Sequence, residues 1–155
     1  MKTSLKSAFL ALAASCLLMI SCSKDDKDIE VITRSSFPLS GDQEVPAKTS
    51  DATGNAKISY NHSTKVMRFT VDWSSLTSNP IGMHIHGTTV RGASAGVKSD
   101  FSISFPQTTS GTYSGSITVD GINIKKDSLL DRFYYMDIHT SNNPDGEIRG
   151  QIIFQ

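Results

Sequence analysis

The side chains best suited to chemistry in this 155-residue chain are histidines. His84 and His86 lie in Ile81-Gly82-Met83-His84-Ile85-His86-Gly87, and His139 lies in Asp137-Ile138-His139-Thr140. The fourth, His62, falls in a polar turn and reads as solvated. Residues two apart in a strand point to the same side. His84 and His86 therefore share one face, and Ile81, Met83 and Ile85 share the other. Two imidazoles roughly 7 Å apart at Cα can hold a transition metal once a third ligand arrives. His139 is the candidate third ligand. Imidazole donors and the Irving–Williams order favour copper over manganese or magnesium, with zinc the alternative.

The last hairpin can be registered from its apolar faces. Placing Met136 and Ile138 with Ile148, Ile152 and Phe154 requires paired positions whose numbers add to an even sum. Asp137 and His139 then share the opposite face with Glu147, Arg149 and Gln151. Two readings follow. In the first, favoured by sequence, Asp137, Glu147 and Arg149 form a structural polar cluster, with a bidentate Arg149–carboxylate pair pinning the hairpin. In the second, His139 joins His84 and His86 around copper or zinc. The second needs the two strands to be neighbours, which spacing does not dictate.

Other chemistry has little support. The chain has no Gly-x-Ser-x-Gly elbow and no Gly-rich phosphate loop. Lys and Arg total 15 and Asp and Glu total 15, so the basic excess that nucleic acid requires is missing. Catalysis is not implied.

The elements that must position the histidines are strands. From Phe37 onward the apolar period is two. Ala56, Ile58 and Tyr60 alternate, Asn61 to Thr64 is a turn, and Met67, Phe69, Val71 and Trp73 alternate again. This predicts a hairpin. Phe101, Ile103 and Phe105 alternate, as do Tyr113, Ile117 and Val119 before Asp120-Gly121, a type I′ turn signal. Gly92 to Asp100 reads as a loop. A helical turn is expected near Lys126 to Asp131, and Ser141 to Gly146 is a turn cluster. About eight short strands without a long helix predict an all-β, antiparallel Greek-key sandwich or barrel over residues 37–155.

Residues 1–21 read as an address. Lys2 and Lys6 precede Ala8 to Ile20, an apolar stretch too short for a membrane span. It ends Leu18-Met19-Ile20-Ser21-Cys22, which resembles a bacterial lipobox. The resemblance implies cleavage before Cys22 and lipidation of its thiol, making membrane lipid a partner. Cleavage leaves Cys22 as the sole cysteine, so no intrachain disulfide can form. Residues 22–36 read as an acidic tether. Their acidic run resembles the export signal of bacterial surface lipoproteins, and a plain solvated linker is the alternative. The expected location is the cell envelope, at the outer membrane, with its outer face as one alternative.

Five segments together carry a family resemblance: Leu39-Ser40-Gly41-Asp42-Gln43-Glu44-Val45-Pro46, Gly54-Asn55-Ala56, His84-Ile85-His86-Gly87, His139-Thr140 and Gly146-Glu147-Ile148-Arg149-Gly150-Gln151-Ile152. Their order and spacing resemble the CHRD domain, a module named after chordin and found singly in bacteria. The resemblance covers about Phe37 to Phe154. It implies an immunoglobulin-like or dismutase-like sandwich and no firm activity. A weaker similarity is to copper/zinc superoxide dismutase, at His84, His86, His139 and Arg149. This chain lacks that fold's disulfide, and Gly92 to Asp100 holds no histidine. Dismutation is therefore not implied, while copper binding stays open. The expectation is a lipid-anchored envelope module with a binding or structural role towards an unidentified protein or ligand. The alternative is a copper or zinc protein.

Overall fold

The structure is a computed structural model that describes residues 32–154. The leader, Cys22 and the tether as far as residue 31 lie outside the described residues. Eight antiparallel strands form the domain: β1 (Ile32–Ser40), β2 (Thr53–Asn61), β3 (Val66–Ser74), β4 (Pro80–Gly87), β5 (Val97–Asp100), β6 (Gly111–Thr118), β7 (Tyr134–Thr140) and β8 (Ile148–Gln151). One short helix, α1 (Lys126–Leu130), falls where the helical turn was expected.

The strands form one hydrogen-bonded sheet in the order β5-β4-β7-β8-β1-β2-β3-β6. Its halves meet at a narrow seam, a single β1–β8 pair between Ser40 and Arg149. One apolar core draws on both halves, including Phe37, Met67, Phe69, Met83, Ile85 and Ile138. The sheet thus folds over its own core, giving the expected all-β, sandwich-like architecture, nearly closed as a barrel. Between the free edges β5 and β6, Phe101 packs edge-on against Phe69 of β3 at 5.0 Å and lies 6.1 Å from Tyr113 of β6.

The clearest sequence signal folds as read. Strands β2 and β3 pair in register, with Ile58 opposite Phe69 and Tyr60 opposite Met67. Asn61 makes their turn, its Oδ1 accepting from the backbone N–H of Ser63 and Thr64.

Several expectations are corrected. Strand β1 begins at Ile32, so residues 32–36 extend the sheet instead of the tether. Thr33 and Ser35 sit opposite Tyr60 and Ile58, and their hydroxyls hide the period of two. Phe101 to Phe105 is a helical turn, with Phe105 N–H donating to the Phe101 carbonyl at 3.2 Å. Both phenylalanines pack inward while Ile103 is wholly exposed. The strand lies just before, at residues 97–100, within the segment read as a loop. Asp120-Gly121 closes no hairpin. The Asp120 carboxylate instead accepts three backbone N–H groups, from Ile122, Asn123 and Ile124, and leads the chain towards α1. Ile81 is exposed because the β4–β7 register slips between Pro80 and Gly82, leaving it out of the alternation.

Candidate metal centre

Strands β4 and β7 are neighbours, which spacing alone could not establish. His84 stands opposite Asp137, His86 opposite Tyr135 and Gly82 opposite His139. This register puts His84, His86, Asp137 and His139 on one face. One ligand atom from each lies within 4.8 Å of the others. Gly82 makes room: a Cβ there would come within 2.9 Å of His84 Cε1.

β7 is buried on both faces, one against the apolar core and one under the segment between β4 and β5. That segment supplies carbonyls and no metal ligand. His86 Nδ1 donates to the Ala95 carbonyl at 2.8 Å, and Arg149 Nη2 donates to the Ala93 carbonyl at 2.9 Å. His139 Nδ1 donates to the Pro144 carbonyl at 2.8 Å. A carbonyl only accepts, so each Nδ1 carries a hydrogen and leaves Nε2 for the centre. His84 is turned the other way. Its Nε2 lies 3.3 Å from Ser102 Oγ and 3.4 Å from Asp100 Oδ1. Ser102 donates its own hydroxyl hydrogen to Asp100, so its oxygen can accept from His84 Nε2. Nδ1 then faces inward.

The inward atoms are His84 Nδ1, His86 Nε2, His139 Nε2 and Asp137 Oδ1. All four are buried and none has a hydrogen-bond partner. Asp137 is near each ring, at 3.1 Å from His86, 3.1 Å from His139 and 3.9 Å from His84. The two shorter separations are within ion-pair distance of a protonated ring, so Asp137 is the one group that can pair with His86 and His139 when no metal is bound. Ligand atoms about 2.1 Å from a divalent ion can be at most about 4.2 Å apart. The observed span would contract by about 0.6 Å for a trans pair of ligands and by about 1.4 Å for a tetrahedral site.

Electrostatics couple the four groups. Burial disfavours charge on His139, yet the Asp137 carboxylate overcomes it and lifts the imidazole to about 9. His84 is pushed below its ordinary value by burial and then by the charge of His139. Burial pushes Asp137 up, but His139 and His86 outweigh it, leaving the carboxyl below its usual range.

The expected Asp137–Glu147–Arg149 cluster is divided three ways. Asp137 belongs with the histidines. Arg149 has no carboxylate within ion-pair distance among the described residues; its guanidinium instead lies 3.4 Å above the Tyr135 ring. His86 stacks on the same ring, nearly parallel at 4.8 Å. Glu147 is fully buried and accepts from Ser50 Oγ, Thr77 N–H, Thr77 Oγ1 and Thr140 Oγ1 at 2.6–2.9 Å. It precedes the first residue of β8 and follows Gly146 at φ +118°, so strand alternation does not govern it.

Glu44 was missed as a site residue. It is buried against Gly146, where a Cβ would lie 2.5 Å from Glu44 Oε1. Burial, then the charge of Asp137, lifts its carboxyl to about 7. The Gln43-Glu44-Val45-Pro46 segment was visible in the sequence, but its return to β8 was not.

No curated protein and no solved structure matches the chain. The CHRD domain family model matches residues 35–152, a span that contains β2 to β8, most of β1 and all four residues of the centre. By that match, the chain belongs to the CHRD domain family, a β-rich binding or structural module.

Proposed function

We propose that this chain is a metal-binding β module of the bacterial cell envelope. Its centre would hold one divalent transition metal on His84 Nδ1, His86 Nε2, His139 Nε2 and Asp137. The observation that carries this is the set of four buried, inward-facing atoms without hydrogen-bond partners. One carboxylate cannot match three imidazole nitrogens that all face inward, and a buried polar atom left unmatched costs about 1–3 kcal/mol; a bound ion would satisfy all four at once. The outer nitrogens have the support that metal-bound imidazoles usually have, a carbonyl or carboxylate fixing tautomer and ring. Three imidazoles and one carboxylate suit copper(II) or zinc(II), and copper(II) should bind more tightly.

Elemental analysis of the purified protein after copper loading and desalting tests this. About one ion per chain is expected. The triple variant His84→Ala/His86→Ala/His139→Ala should retain none while remaining folded. Metal-free wild-type protein under these conditions would end the proposal.

The anchor rests on Leu18-Met19-Ile20-Ser21-Cys22 and on a folded domain that begins within ten residues of Cys22. Lipid on Cys22 would hold the domain close to the membrane surface. Cys22→Ala should move the protein from the membrane fraction of a bacterial host to the soluble fraction. Retention with the membrane would rule out lipidation at this cysteine.

A further inference from the structure

The second feature that points to a ligand lies on the outer face of β1, β2, β3 and β6, away from the metal centre. Strand register aligns Arg34, Ser59, Arg68 and Ser116 in one row across four strands. The next row brings Lys57 opposite Thr70, and Thr70 opposite Ser114. These residues line an open groove of about 550 Å³.

Arg34, Lys57 and Arg68 are all exposed, and no described carboxylate lies within ion-pair distance of them. The nearest acid along β3, Asp72, accepts a hydrogen bond from Thr112. The whole chain has equal numbers of acidic and basic side chains. The cations therefore mark a local concentration on a neutral protein. Arg34 and Arg68 sit two strands apart, roughly 10 Å by strand spacing, and hydroxyls fill the positions between.

We propose that this groove binds an extended acidic polysaccharide. The guanidinium and ammonium groups would take its carboxylates or sulfates. Ser59, Thr70, Ser114 and Ser116 would exchange hydrogen bonds with sugar hydroxyls. The chemistry argues against single-stranded nucleic acid: Phe69, the one aromatic side chain at the groove, is buried beneath it, so no ring is offered for base stacking. The openness of the groove suits a polymer strand better than an enclosed small molecule.

The test is titration calorimetry of the purified protein with polygalacturonate, with neutral dextran as control and phosphatidylglycerol vesicles as a competing anion. Binding to polygalacturonate alone is expected, weakening with salt at a log–log slope of about two to three for three cations. Arg34→Glu/Lys57→Glu/Arg68→Glu should lower affinity at least tenfold with an unchanged melting temperature. If that variant fails to fold, Arg34→Gln/Arg68→Gln replaces it and should lose affinity by at least threefold. No binding by the wild type, equal affinity in a folded variant, or binding to the vesicles but not to the glycan would overturn the proposal. Metal content does not enter any arm, so this result and the metal result stand separately.

Discussion

Replacing Glu147 with alanine should destabilise the domain by about 3–5 kcal/mol, enough to lower its melting temperature by roughly 10–20 °C. The carboxylate is fully buried, with no described cation opposite it. It is satisfied by four donors from three separate parts of the chain: Ser50 before β2, Thr77 between β3 and β4, and Thr140 at the end of β7. Removing it leaves the Thr77 backbone N–H and the hydroxyl hydrogen of fully buried Thr140 without an acceptor. It also releases the loops that close this end of the sandwich. Burial opposes ionisation, but the four hydrogen bonds win and hold the carboxyl below its ordinary value. Its contribution is therefore complete above the ordinary carboxylate range and is lost as pH falls through the depressed value. Glu147→Gln keeps the shape but turns an NH₂ group towards donors, and should recover only part of the loss. Urea denaturation checks both variants. A Glu147→Ala loss below 1 kcal/mol would mean that the surrounding donors find other partners.

The polar residues were legible as a set before their partners were. Period-two alternation placed Met67, Phe69, Val71 and Trp73 inward because β2 and β3 form a hairpin with a short turn, where local pattern and long-range pairing coincide. The even-sum rule likewise gave the parity of the β7–β8 register, and the sheet realises it with Asp137 opposite Arg149 and Ile138 opposite Ile148. What could not be read was the pairing of β4 with β7, two strands about fifty residues apart. That contact alone turns Asp137 from a hairpin residue into the carboxylate among three imidazoles. The Glu147 assignment failed for the opposite reason. Alternation was extended one residue past the strand, to a position where the backbone leaves a positive-φ glycine. Glu44 carried no periodic signal, because it follows a short 3₁₀ turn and reaches β8 only through the closing of the sheet.

Lifting His139 to about 9 has a consequence for the metal-free protein. Its ordinary value is about 6.5. The folded state therefore binds a proton more tightly than the unfolded state, and the resulting stability is fully present below pH 6.5. It is lost as pH climbs through about 9. The full shift would be worth about 3 kcal/mol; allowing for the part of the ring that solvent still screens, about 2 kcal/mol should disappear between pH 6.5 and 9. His84 works in the other direction. Burial and the neighbouring imidazolium resist its protonation, so acidification below 6.5 also costs stability. Glu44, lifted from 4.5 to about 7, also loses its contribution as pH rises through that range, so the optimum of the chelator-treated protein lies at or below pH 6.5. A coordinated His139 must present a free Nε2 lone pair, so copper loading at pH 7 should expel about one proton. Loading should also flatten the alkaline slope. Asp137→Asn removes the charge that lifts His139 and should abolish the slope in the metal-free protein along with metal uptake. Urea unfolding at pH 6.5 and pH 9, with and without copper, measures the slopes, and calorimetry in two buffers of different ionisation enthalpy counts the proton. A flat metal-free profile would show that Asp137 does not hold a charge on His139, and proton-free loading would show that the metal does not displace one.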